Sequence, residues 1–160
     1  MGPDGARMET DAGLPRGDVI LGRVADLDPL RHRVLRLARL WQSGASGRDR
    51  TTTEIAERLS PAAAEQAVEA LGSIWVLLAW VGRRRLLLNP PGDPRLSADE
   101  AWLAALVAAT AVGARAEALL LAALMVRAEA AGDLVAAAEG FGTALARMDG
   151  EGAAASPQPP

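Results

Sequence analysis

From Ala64 to Leu78 the apolar residues Ala64, Ala67, Val68, Leu71, Ile74, Trp75 and Leu78 recur in steps of one, three and four. That spacing lines up on one side of an α-helix and scatters on a strand. Ser60-Pro61 in front supplies a cap and a residue suited to the first helical position, so the pattern predicts a helix from Pro61 to about Val81. Its second half is unusual. Val76, Leu77, Ala79 and Trp80 fill the remaining positions, and the helix becomes apolar all round. Such a helix must lie at the centre of its domain or be covered by a partner.

The rest of the chain offers helices to pack against it. Leu30, Val34, Leu37, Ala38 and Trp41 form one face of a helix that opens at Asp28-Pro29, with His32, Arg36 and Arg39 opposite. SGASGRDR then breaks that helix. Thr51 and Glu54 have capping-box spacing and begin a short helix to Leu59. Ser97 caps a fourth helix, with Asp99 and Glu100 in its first turn, where the dipole favours acids, and Trp102, Leu103, Leu106 and Val107 facing inward. Gly113 separates it from a fifth helix. Gly132-Asp133 separates the fifth from a sixth, whose seam is Leu134, Ala138, Phe141, Leu145 and Met148.

Half the residues are hydrophobic but only 3% are aromatic, so the core must be built from Ala, Leu and Val. Ala and Leu favour helices. The expected fold is all-α, a single domain of about six helices, with room for one short β-hairpin near residues 84–96. The domain is expected over 28–148, between a flexible leader at 1–27 and a flexible tail at 149–160, both rich in Gly, Pro and charge.

Several function classes fall away. The acidic, Gly/Pro-rich start has no apolar segment of the kind a signal peptide needs. The longest apolar stretch, Gly72 to Gly82, is too short for a ~30 Å hydrocarbon layer and is flanked by Glu69 and by Arg83, Arg84 and Arg85. No membrane span is therefore expected. Cys is absent, which removes disulfides and thiolate chemistry and fits a cytoplasmic protein. His32 is the single His, no nucleophile stands near it, and no metal-ligand spacing, phosphate-binding loop or other cofactor motif occurs.

Charge is unevenly spread. All 17 basic residues are Arg, a usage that fits a GC-rich bacterial genome. Residues 31–53 carry six Arg against one Asp, and residues 81–96 carry four Arg against one Asp. Residues 97–150 hold more than twice as many acids as Arg. If Arg36, Arg39, Arg48 and Arg50 met Arg83, Arg84 and Arg85 in space, they would make an anion or nucleic-acid site. The plainer reading is a solvated face neutralised by the acidic half.

One local pattern has a counterpart in a known family. TTTEIAERLSPAAAEQAVEAL followed by GRRRLLLNPPGDPRL resembles the second and third helices and the wing of a winged helix-turn-helix, a family of DNA-binding regulators. The resemblance implies a recognition helix beginning near Pro61. That helix starts instead with Ala62, Ala63, Ala64, Glu65 and Gln66, with Glu69 a turn on, so only Gln66 could read a base. The turn between the two helices is also shorter than that family uses. A small helical enzyme of chorismate-mutase type, using Arg to bind dianions, is a further alternative, but the chain lacks the Lys of such pockets.

The tryptophans decide between what remains. Trp41, Trp75 and Trp102 sit within inward stripes and are expected in the core. Trp80 follows Trp75 by five positions, about 140° round the helix, so the two cannot face the same way. Either the helices after Ser97 cover it, or it contacts another chain. The function expected from the sequence is a non-enzymatic regulatory or adaptor protein that binds protein partners, itself included. Val76, Leu77 and Trp80 are its apolar anchors and Arg83–Arg85 its polar rim.

Overall fold

In a computed structural model that describes residues 16–154, three of the helices begin where a side chain satisfies one of the first free N–H groups. Helix α1 (Pro29–Gln42) is capped by Asp28, whose side chain accepts from the Arg31 amide at 2.9 Å. Helix α3 (Pro61–Val81) is capped by Ser60, with Pro61 at its first position. Helix α4 (Ala98–Ala111) opens with a reciprocal capping box. Ser97 Oγ accepts from the Glu100 amide, and the Glu100 carboxylate accepts from the Ser97 amide at 2.8 Å.

The fold is all-α, one domain of six helices with a two-stranded antiparallel sheet. Helix α5 covers Arg115–Met125 and α6 covers Ala131–Ala154. The long α6 packs against α3, α4 and α5 and touches α1 and α2 as well, which makes it the hub. Its expected seam of Leu134, Ala138, Phe141, Leu145 and Met148 is wholly buried. Ala64, Ala67, Leu71, Ile74 and Leu78 of α3 and Trp102, Leu103, Leu106 and Val107 of α4 join the same core.

Three boundaries differ from the sequence expectation. Helix α2 spans Ala45–Arg58, so most of SGASGRDR is helical and the break is a single turn at Ser43-Gly44. Gly44 there has a φ of 118°, a conformation open to Gly and costly for other residues. Thr51 is accordingly no cap. It is buried inside α2 and its hydroxyl donates to the Gly47 carbonyl at 2.9 Å. Gly132 and Asp133 lie in the first turn of α6, and the chain turns earlier, at Val126-Arg127 and a short 3-10 turn at Ala128–Ala130. At the C-terminal side α6 runs on to Ala154, into the stretch read as a tail.

The sheet also takes an unexpected strand. Strand β2 (Arg95–Ser97) closes the segment where a hairpin was expected, but its partner is β1 (Ile20–Arg23), from the stretch read as a leader. Arg84 to Leu88, the other candidate strand, forms none: Arg84 lies in a bend and residues 85–88 have no regular structure. Strand pairing between distant segments leaves no local turn signal, which is why residues 20–26 carried no period. Residues 1–15 and 155–160, expected as the outer parts of leader and tail, lie outside the described residues.

Candidate functional site

The clustered arginines do not form one site. Arg36 pairs with Glu54 of α2, and the pairing outweighs partial burial to lower the Glu54 pKa. Arg39, expected on the outer face of α1, is only 4% exposed. It donates to Glu100 through Nε at 2.8 Å and Nη2 at 3.0 Å, and to the carbonyls of Asp93 and Arg95 at 2.6 and 2.8 Å. Arg39 is buried because the segment 87–97 crosses that side of α1 and offers it carbonyls. Glu100 also accepts from the amides of Asn89 and Ser97, at 2.7 and 2.8 Å. Burial alone would raise the Glu100 pKa, but the hydrogen bonds from Arg39, Ser97 and Asn89 win and lower it.

Asp99 performs a similar task beside it. Its buried carboxylate accepts from Arg84 at 2.6 and 2.8 Å and from the Leu87 amide at 2.7 Å. Together Asp99 and Glu100 pin the arginine-rich segment to the start of α4. Arg83 turns another way and donates through Nε to the carbonyls of Ala123 and Val126 at the end of α5, both at 3.2 Å. Arg36, Arg39 and Arg84, expected as anion or nucleic-acid ligands, are thus committed to acids of the chain, and Arg83 to backbone carbonyls. Arg50 lies apart on the outer face of α2, in a shallow groove with Asp49, Glu54 and Glu57. Three of the acids that pair with these basic runs, Asp99, Glu100 and Asp149 (which takes Arg33), come from the acidic half, and Glu54 of α2 supplies another.

What does gather is an open cleft of about 900 Å³ where the ends of α1 and α3 meet the start of α2 and the segment after α3. Its lining includes Trp41, Trp75 and Trp80 together with Arg48, Arg84 and Arg85. Among the described residues Arg48 and Arg85 make no ion pair, and no acid or His lines the cleft. Trp41 and Trp75 are half-buried and pack on the core. Trp75 buries its indole nitrogen without a hydrogen-bond partner among the described residues. Trp102 is buried as expected, and its indole donates to the Leu121 carbonyl at 2.8 Å.

Trp80 is different, at 82% exposed. One turn earlier Val76 is 57% exposed, so the two make an apolar ridge along the outer face of α3. Leu77 is half-buried against the core and lines the far side of that ridge. There a second groove, of about 590 Å³, runs between α3 and α6 and is lined by Glu69, Gly72, Ser73, Val76, Leu77, Asp133, Ala136 and Ala137. Gly72 and Val76 border both grooves. Of the two fates expected for Trp80, covering by the helices after Ser97 does not occur.

Helix α3, at 21 residues, is the one helix among the described residues with the length and hydropathy to cross a membrane. Its stripe from Ala64 to Leu78 belongs to the core shared with α6. Among the described residues no three His, Cys, Asp or Glu come together as a metal site would require.

The fold and site therefore define a class in physical terms: a six-helix domain with an exposed Trp–Val ridge between a cationic and an acidic groove. No family model, curated protein or solved structure matches the chain.

Proposed function

We propose that this is a non-enzymatic regulatory or adaptor protein of the cytoplasm, acting by docking another polypeptide on the outer face of α3. The observation that carries the reading is Trp80, 82% exposed beside Val76 on a helix whose opposite face lies in the core. Leaving a Trp in water forfeits about 1.5–3 kcal/mol or more of burial, and Trp is the residue most enriched among interface anchors. The cleft at its side adds support. Its charged lining is Arg alone, with no acid or His to move a proton, so it offers recognition and little chemistry. The DNA-binding alternative gains nothing from the fold. Glu65 and Glu69 are exposed on α3, and three of the arginines it needs are held by Glu54, Glu100 and Asp99.

The test is a photo-reactive amino acid placed at position 80, with position 46 on the outer face of α2 as control. In intact cells position 80 should give a discrete cross-linked protein adduct that position 46 does not. Equal or absent cross-linking at both positions would remove the docking role.

A further inference from the structure

The cleft beside the α3 ridge carries charge of one sign. Its charged lining is Arg48, Arg84 and Arg85. Arg84 is held by Asp99. Arg48 and Arg85 are exposed and make no ion pair among the described residues. They belong to different elements, α2 and the segment after α3, yet border the same cleft. Asp49, next to Arg48 in sequence, lines the groove on the outer face of α2 instead. Glu69 and Asp133 line the groove on the other side of the ridge, and Glu69 precedes Val76 by about two helical turns.

Val76 and Trp80 are walls of this cleft as well as the crest of the ridge. A partner that covers Trp80 therefore meets the cleft too. An uncharged or basic surface there would strip water from Arg48 and Arg85 without offering a counter-charge. Guanidinium groups that lose water need carboxylates or phosphates, which they bind through charge-assisted N–H···O bonds. The open shape suits an extended stretch of chain better than an enclosed small molecule. A nucleic-acid strand has the charge, but it needs a track of cations for successive phosphates, and the far side of the ridge offers Glu69 and Asp133.

We infer that the polypeptide docked on α3 presents an acidic stretch with an apolar anchor. The anchor lies on Val76 and Trp80, and the Asp or Glu side chains beside it enter the cleft to pair with Arg48 and Arg85. This inference rests on the docking role proposed above and adds the chemistry of the partner.

The test is selection of short random peptides, displayed on phage, against the purified full chain. Wild type should select peptides enriched in Asp and Glu around a Trp, Phe or Leu. A selected peptide, made synthetically, should bind Arg48→Gln/Arg85→Gln about tenfold more weakly or worse, the worth of one charge-assisted hydrogen bond. The same loss should follow when the acids of the peptide are replaced by their amides. Arg48→Glu/Arg85→Glu should reject the peptide and bind its counterpart in which Arg replaces the acids, with unchanged helicity by circular dichroism. Trp80→Ser should bind neither. Binders without acidic enrichment, no binders above background, or the same preference from Arg48→Glu/Arg85→Glu overturn the inference. So does single-stranded oligothymidylate that binds wild type as tightly as the peptide. In each of those cases a position-80 cross-link in cells leaves the docking role standing, whereas loss of that cross-link removes both.

Discussion

At the scale of single residues, Arg39 and Glu100 mark the limit of what the sequence could convey. Glu100 was legible as a first-turn acid after Ser97, because a cap is a local event within four residues. Its salt bridge to Arg39, 61 positions away, leaves no trace in either neighbourhood. Arg39 read as solvated because α1 shows a sufficient apolar face without it, and segment 87–97 then covered the side that had looked outward. Removing one member of such a buried pair strands the other without a counter-charge, at a cost of about 3–5 kcal/mol. Arg39→Met should therefore lower the unfolding free energy in urea by that order, whereas Arg50→Met, on an exposed side chain, should change it by less than about 0.5 kcal/mol. The same carboxylate gives a pH signature. Because folding lowers the Glu100 pKa below its ordinary 4.5, its contribution is complete above that pH and is lost as pH falls through the folded value. Asp93, lowered from 3.8 to about 2 chiefly by its hydrogen bonds to Arg95, acts in the window just below. The stability gap between wild type and Glu100→Gln should be widest near neutral pH and shrink progressively below pH 4.5. A gap that stays constant down to pH 3 would mean that Glu100 contributes shape and no charge.

At the scale of elements, α1, α3 and α4 were legible because each combines a 3–4 apolar stripe with a recognisable start, and α6 was legible by its stripe alone. Where only composition was available, the boundaries slipped. SGASGRDR looked like a breaker because of its Gly and Ser residues, yet α2 begins at Ala45. Gly47 is needed inside it, since a Cβ there would meet the Leu40 carbonyl oxygen at 1.9 Å. The exit from α3 has the same logic. Gly82 sits so close to the end of its own helix that a Cβ would lie 2.1 Å from the Leu78 carbonyl oxygen, and Gly82 bridges to Val126 beyond α5. That close turn sends Arg83 to the end of α5 and Arg84 and Leu86 into the cleft wall. Gly82→Ala should push the chain away from α3 and cost about 1–3 kcal/mol. Hydrogen exchange should locate the loss in residues 83–89, with the α6 core still protected. Uniform loss across all helices would instead make Gly82 part of the global folding core.

At the scale of the whole molecule, the six-helix architecture follows from a core of Ala, Leu and Val. The sequence also announced that α3 had more apolar surface than one face requires. It could not say which side would stay open, because that depends on where α6 lies against α3. In this fold α6 covers the stripe from Ala64 to Leu78 and leaves Val76 and Trp80 outside. If an acidic partner segment covers them, folding and binding are linked, and stability must rise with the concentration of that segment. Above its Kd, each tenfold rise in a selected peptide favours the folded chain by about 1.4 kcal/mol. Spread over the unfolding entropy of a 160-residue chain, that raises Tm by about 4 °C per decade. Trp80→Ser removes the centre of the interface but no contact with the core. Its Tm should stay flat over the same range and meet the wild-type value without peptide. A Trp80→Ser Tm that lies several degrees lower in the absence of peptide would show that Trp80 stabilises its own chain. Parallel slopes in the two proteins would place the peptide on some other face.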